Sequence, residues 1–395
     1  MNSKVVVIGA GITGLRTAMA LLEEGCSVTL IEKTNKLGGM AASFKYKDFS
    51  LDFGPHKFYT QLEGIEDDFI SLVGEENLNI VEKKNSIRLL GNSLDFPVKI
   101  GQLISKIPPN KAIQIALDLM KAKISLAKPS NYEEYFIKGF GKTGYRLVFE
   151  GFAQKVWGEP KSLSVELAEK RSPAKGVFDV LKTALIKNDY NVSSKHFLYP
   201  KEGFGFLAES LGGKIKSLGG EIILGSELKE VVIKDKKVFA VKIADGNKKV
   251  RNINCDIVVS TISPDELGAS IKRMPLEVKE SLKHLEFRAL TLAYVFLEQP
   301  RALDVQWMFF PEKEFCFNRV SEQKLFSSNT CPEGKTVLTA ELTSEADDSY
   351  HNMSENKIKE RVIRDLEKAE IIKKDKVYDF AIRKARKVYP LYSTG

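Results

Sequence analysis

The sequence predicts an α/β fold: a parallel sheet, assembled from separate stretches of chain, interleaved with an α+β domain. Three observations predict it. Residues Lys4 to Glu32 read as apolar strand, glycine turn, helix, apolar strand, acid. A block of similar character returns between Tyr199 and Thr261. Between and after these blocks the pattern turns to lysine-rich helices and then to strand-like runs.

The first block begins with the apolar run Val5-Val6-Val7-Ile8, turns through Gly9-Ala10-Gly11-Ile12-Thr13-Gly14 and continues as a helix to Leu22. Val28 to Ile31 forms the second strand, and Glu32 ends it 18 residues beyond Gly14. This is the order of a Rossmann-like dinucleotide-binding unit. Gly9 permits the tight turn, Gly11 lets the backbone approach a pyrophosphate, and Gly14 lets helix and strand pack closely. The helix N-terminus offers free N–H groups and a partial positive charge to phosphates. Glu32 is placed to accept hydrogen bonds from ribose hydroxyls. A 2′-phosphate there would meet like charge, which disfavours a phosphorylated nicotinamide cofactor.

Composition bounds the rest. With 395 residues, 43% hydrophobic and 28% charged, the chain is expected to form two globular domains. Lys and Arg number 60 against 52 Asp and Glu, a formal charge of +8, but the basic residues are scattered. They leave no nucleic-acid footprint, while an anionic substrate or acidic membrane surface stays open. Cys26, Cys255, Cys316 and Cys331 share no CxxC spacing, so neither a zinc site nor a disulfide framework is expected. No signal peptide precedes the first strand and no apolar run is long enough to span a bilayer. A cytoplasmic protein is the expectation.

Further along, residues 65–84 carry a mixed helix and strand signal, with Phe69, Ile70, Leu72 and Val73 on one helical stripe, and Ser86 to Val98 reads as a hairpin turning at Gly91-Asn92. Ala112 to Leu126 forms an amphipathic helix whose apolar stripe is expected to pack in the core, with peripheral membrane contact the less favoured reading. Later come a helix from Leu207 to Leu218, a strand from Glu221 to Leu224, a hairpin over Val231 to Val241 and a buried parallel strand from Cys255 to Thr261. Strand-like runs over Leu285 to Leu297 and Val305 to Phe310 and a helix over 355–371 complete the chain. The expected domains are 1–85 with 199–270 for the nucleotide, and 86–198 with 271–395 for the substrate.

The residues after Glu32 carry a resemblance. Lys33-Thr34-Asn35-Lys36-Leu37-Gly38-Gly39-Met40 is followed by Leu51-Asp52-Phe53-Gly54-Pro55-His56. A glycine pair soon after the ribose-binding acid, then a strand ending in Asp-x-Gly, resembles the FAD-binding half of the amine oxidase and protoporphyrinogen oxidase superfamily. UDP-galactopyranose mutases share that fold group. The resemblance implies FAD as cofactor. It places Gly38, Gly39 and Met40 beside the diphosphate and ribityl chain, with Lys33 next to the ribose acid. Gly54, Pro55 and His56 would lie along the isoalloxazine, and the backbone around Val231 would face the adenine. It also implies that His56 tunes the flavin.

Lys155-Val156-Trp157-Gly158, with Arg171 fourteen residues after Trp157, looks like the mutase substrate segment. There a tryptophan stacks on the nucleotide-sugar and an arginine forks onto the diphosphate. Phe317-Asn318-Arg319 resembles a stretch supplying another such arginine, Arg319. The departures are Phe152, where mutases carry tyrosine, and the lack of their tyrosine-rich pattern before Tyr199. The family's closing Gly-Arg strand and helix would follow Tyr389 to Tyr392, where this sequence stops at Gly395. The expectation is either a cut chain or a flavin pocket open on one side. The reading that leads is an FAD-dependent oxidoreductase acting on a small molecule. A flavin-dependent isomerase of a nucleotide-sugar follows, then a scaffold that has lost flavin. Oligomeric state is left open.

Overall fold

The computed structural model describes residues 3–96, 102, 105–124, 127–171, 195–345 and 349–393. The chain forms two compact units, Met1–Ile80 with Leu198–Leu285, and Val81–Phe197 with Glu286–Gly395.

The first unit opens with β1 (Lys4–Ile8), α1 (Ile12–Glu23) and β2 (Ser27–Ile31), then the hairpin β3 (Ser43–Tyr46) and β4 (Phe49–Asp52), then α2 (Ile65–Val73). The second unit takes the next stretch: β5 (Asn85–Leu89), β6 (Asn92–Asp95), α3 (Pro109–Ile124), α4 (Tyr132–Val148), α5 (Glu150–Val156) and α6 (Val165–Arg171). The chain returns to the first unit with α7 (Phe206–Ser217), β7 (Glu221–Ile223), β8 (Ser226–Lys234), β9 (Lys237–Asp245), β10 (Val250–Asn254) and β11 (Ile257–Ser260). It closes in the second unit with β12 (Phe287–Leu297), β13 (Trp307–Phe309), β14 (Arg319–Glu322), β15 (Thr336–Glu345), α8 (Glu355–Lys368) and β16 (Val377–Pro390).

The first unit is built on a four-stranded parallel sheet in the order β11-β1-β2-β7, so strands from both ends of the unit's sequence meet. β1 is central and its valines are buried, as a strand covered on both faces requires. β11 was expected to be buried and is not: it is an edge strand, and Ile257 is 46% exposed. An apolar run of that length does not distinguish an edge from a centre.

In the second unit a seven-stranded mixed sheet runs β16-β12-β15-β14-β13-β5-β6. One face packs on α8: Val295, Leu338, Ala340 and Val320 join Ile358, Val362 and Leu366 in one core. Side chains alternate across a strand, so Arg319 and Glu341, neighbours of Val320 and Ala340, stand on the opposite face. The β5–β6 hairpin turns one residue earlier than the Gly91-Asn92 reading, at Leu90 and Gly91, both at positive φ (51° and 74°). Such a turn matches strand twist.

The α3 stripe divides, against the expectation of core packing. Asp118 accepts from Thr143 N (2.8 Å) and Oγ1 (2.7 Å) of α4, and Ile115 and Leu119 lie on that same side. Ile113, Leu117, Met120 and Ile124, 63%, 48%, 57% and 81% exposed, fall on the other. At about 100° per residue the two stripes are opposed. No helix of the described residues is long and apolar enough to cross a membrane.

Candidate dinucleotide site and substrate face

The glycine turn sits at the carboxyl end of β1. Gly9 adopts φ 99° and donates its N–H to Ile31 O at 2.8 Å, and a Cβ there would come 2.7 Å from Thr261 Oγ1. A Cβ on Gly14 would run into the Gly9 carbonyl oxygen, so helix and strand are in contact through their backbones. Gly11 differs, because a Cβ there meets no atom of the described residues within 4 Å. Open space lies over the turn, where α1 begins with no side-chain cap and no acid in its first turn.

The glycine pair folds back onto this turn. Gly38 (φ 105°) donates its N–H to Ala10 O at 2.8 Å, and a Cβ on Gly39 (φ 56°) would lie 3.4 Å from Gly11 Cα. Met40 follows, half-buried. Glu32 is buried: Oε2 accepts from Ala10 N (2.8 Å) and Oε1 from Thr34 N (2.9 Å). Each oxygen keeps a lone pair for a further donor. Gly9, Gly11, Gly14, Glu32, Gly38 and Gly39 therefore lie together. Lys33 is exposed and pairs with Glu266 at 3.2 Å. Val231 is buried, and its N–H is bonded to Ser270 O (2.9 Å).

These residues fit a dinucleotide. An uncapped helix N-terminus faces open space, a carboxylate with spare acceptor capacity stands beside it, and the hydroxyls of Ser260 and Ser263, flanking Thr261, are buried without a hydrogen-bond partner among the described residues. Sequence reasoning missed those serines; their signal is position, at the end of the strand next to β1 and three residues beyond it.

His56 follows buried Gly54 (φ 88°) and half-buried Pro55. Its Nδ1 lies 3.0 Å from Gly54 O, and a carbonyl only accepts. Nδ1 therefore carries the hydrogen, and in the neutral form of the ring Nε2 is the acceptor. The ring stacks on Phe204, with centroids 5.3 Å apart and planes at 28°.

In the second unit Trp157 is 7% exposed, packed with Tyr132, Phe136 and Leu163, its ring edge-on to Tyr389 at 5.5 Å. Arg171 ends α6, and its side chain lies outside the described residues. Arg319 forks onto Glu341, which lies directly across the sheet, with Nε–Oε1 at 2.6 Å and Nη2–Oε2 at 2.8 Å. Its guanidinium stands 5.6 Å from the Trp307 ring centroid and 6.0 Å from that of Phe309. Burial works against this charge, but Glu341 outweighs it and holds the guanidinium above its usual pKa.

Arg288, bonded to the two residues before Trp157, escaped the sequence reading, in which Lys155 figures only as part of the Lys-Val-Trp-Gly motif, with no role of its own. Arg288, buried, donates from Nε to Val156 O and from Nη2 to Lys155 O, both at 3.2 Å, closing the end of α5. As the only charge in the apolar run Phe287–Leu297 it was visible in principle. Lys155 Nζ donates to Phe310 O (2.7 Å), Glu312 O (2.6 Å) and Phe317 O (3.0 Å). Burial nonetheless lowers its ammonium to about 8 from the ordinary 10.5. Between those values the folded protein holds fewer protons than the unfolded chain, so stability rises with pH there. Lys155→Met is expected to flatten that rise and, by stranding three carbonyls, to cost about 2–5 kcal/mol at pH 7 in chemical denaturation.

A parallel sheet with a glycine turn, a ribose-type acid and a discontinuous path defines the two-unit α/β class of dinucleotide-binding proteins. The chain belongs to the flavin-containing amine oxidoreductases, whose family model matches residues 12–383. It is 28% identical over 188 residues to a Klebsiella pneumoniae protein named as a probable UDP-galactopyranose mutase, covering 45% of this chain and 47% of that one. It is 23% identical over 309 residues to a 4,4'-diapophytoene desaturase of Staphylococcus aureus (strain Newman), covering 69% and 59%. The matches thus span about half of these curated relatives. A structure of reduced UDP-galactopyranose mutase superposes with a TM-score of 0.84 at 21% identity, over 99% of this chain and 85% of that one. An oxidoreductase from Methanosarcina mazei does so with 0.71 at 18% identity, over 99% and 90%. At these identities the structural likeness concerns the fold.

Proposed function

We propose that the protein is an FAD-dependent oxidoreductase acting on a small organic substrate without a diphosphate. The observation that carries the second half is the Arg319–Glu341 fork: the arginine that would meet a diphosphate is already neutralised by a buried carboxylate. A charge satisfied in this way has little left for a phosphate. When bound, FAD would supply a two-electron acceptor, taking from the substrate a hydride, that is one hydrogen nucleus with both electrons of the broken bond. The chain's own residues bind and orient. Glu32 accepts from the ribose hydroxyls, the N-terminus of α1 faces the phosphates, and the hydroxyls of Ser260 and Ser263 are available to polar atoms of the dinucleotide. Nε2 of His56 can accept a hydrogen bond or a proton from whatever the Gly54-Pro55-His56 turn faces.

The second reading, a flavin-dependent isomerase of a nucleotide-sugar, draws support from the 28% identity to the probable mutase. In that case Trp157, Arg171 and Arg319 would be substrate contacts. One experiment separates the two. The purified protein is titrated with FAD, reduced with dithionite and mixed with UDP-galactose. Tight FAD binding, weakened roughly 10- to 100-fold by Glu32→Ala for the loss of one charged acceptor, with a reduced spectrum indifferent to UDP-galactose, is expected. A spectral shift on adding the nucleotide-sugar would favour the isomerase. Failure to bind FAD at all would defeat both.

A further inference from the structure

The first unit contains a buried acid that none of the roles above uses. Asp52 ends β4 with 2% of its surface exposed and gathers three donors. Its Oδ1 accepts from Ser43 Oγ (2.5 Å) and from Phe204 N (3.1 Å), and Oδ2 accepts from Tyr199 OH (2.7 Å). Ser43 Oγ in turn accepts from Gly205 N (2.7 Å), and Ser50 Oγ donates to Glu202 O (2.7 Å). The β3–β4 hairpin thereby grips the turn that leads into α7. The grip is close: Gly203 is at φ 112°, and a Cβ there would stand 2.8 Å from Ser43 Oγ and 3.2 Å from Asp52 Oδ1. Phe204, in the middle of the gripped turn, is the residue on which the His56 ring stacks.

We propose that Asp52 is a positioning residue for His56, acting through Phe204. Asp52 fixes the backbone of residue 204, the backbone fixes where the phenyl ring can lie, and that ring holds one face of the imidazole. The Gly54 carbonyl, two residues beyond Asp52 on the same chain, fixes the ring's Nδ1. Imidazole plane and tautomer are thus set from two sides, and Nε2 is aimed. Burial raises the Asp52 carboxyl above its ordinary value, with the charge of His56 and the three donors opposing the shift. The hydrogen-bond geometry has a use for either form, because an amide can replace the acid. In Asp52→Asn the side-chain oxygen keeps Ser43 and Phe204, and the NH₂ group can donate to the Tyr199 oxygen.

The test reads the His56 ring directly, by NMR of the full chain labelled at its histidines; there are four, so His56→Ala assigns the signal. In the wild type the His56 ring protons are expected upfield of the other three, shielded by the Phe204 face. The displacement should be lost in Phe204→Leu and in Asp52→Ala, and kept in Asp52→Asn. A folded Asp52→Ala protein that keeps the displaced signal would overturn the proposal. Should Asp52→Ala not fold, Ser43→Ala, which removes one of the acid's donors and releases Gly205 N, is read the same way.

What the aimed nitrogen does rests on the flavin reading above, and a second readout keeps the two apart. With FAD bound, the reduction potentials of His56→Ala and Asp52→Ala are expected to shift in the same direction, and the double variant no further. An unchanged potential in His56→Ala would sink the flavin-side role of His56, while the NMR result would still decide the positioning.

Discussion

A methyl group added at Gly14 is expected to abolish FAD binding and to lower stability sharply, whereas the same methyl at Gly11 should remove binding alone. The two glycines belong to one turn but are constrained by different things. At Gly14 the new carbon collides with the Gly9 carbonyl oxygen and stands 2.9 Å from Thr261 Oγ1, so α1 must be pushed off β1. The carbonyl is backbone and cannot rotate away, and the Thr261 hydroxyl can turn only by giving up its hydrogen bonds to Ile8 O and Gly9 O. Overpacking against side chains costs about 1–3 kcal/mol, and backbone yields less readily. At Gly11 the backbone is at φ −67° and ψ 172°, which any residue adopts, and no atom of the described residues lies within 4 Å of the added carbon. Gly11→Ala should therefore fold with stability within about 0.5 kcal/mol of wild type, or slightly above it. Its methyl would occupy the space that a pyrophosphate needs, and FAD affinity should fall by at least roughly tenfold, about 1.4 kcal/mol. Thermal unfolding and FAD titration of both variants check this. Undiminished FAD binding by Gly11→Ala would mean that the open space over the turn is not where the dinucleotide lies.

That contrast also explains what the sequence could disclose. The β1–α1–β2 unit, Glu32 and the glycine pair were legible because their constraints are local. A turn needing positive φ, a helix face against its own preceding strand and an acid at the next strand's end all act within about forty residues of chain. The parts that were not legible depend on residues far apart in sequence. Glu341 is 22 positions from Arg319, Asp52 is 147 from Tyr199, and Arg288 is 132 from Val156. Nothing in the pattern around Arg319 announces that a carboxylate will face it from the neighbouring strand. In the same way periodicity identified α3 as apolar on a stripe but could not say that α4 would cover only one of two stripes. Trp157 was read from its neighbours as a substrate contact, while its burial beside Tyr389 comes from a strand more than two hundred residues later.

The Arg319–Glu341 pair carries the second large effect. Glu341 is 1% exposed, so losing its partner leaves a carboxylate in a place water does not reach. Arg319→Met and Glu341→Gln should each destabilise by about 3–5 kcal/mol, the range for breaking a buried pair one side at a time. Arg319→Met combined with Glu341→Leu should recover most of that loss, because no unpaired charge then remains, and with Glu341→Leu alone completing the cycle the four proteins measure the coupling. The same variants ask what the arginine is for. If Glu341 neutralises it, the wild type binds UDP weakly, and Glu341→Gln, which frees the guanidinium, binds UDP more tightly. Arg319→Met would then leave the weak wild-type affinity unchanged. If the paired arginine instead contacts a diphosphate directly, Arg319→Met should weaken UDP binding at least roughly tenfold, the size of one charge-assisted contact. Because a guanidinium has five N–H donors and the fork to Glu341 uses two, geometry alone permits such a contact, and the decision rests on charge. A calorimetric titration of UDP into the wild type and both single variants therefore weighs the oxidoreductase against the isomerase on the residue where the two readings differ most.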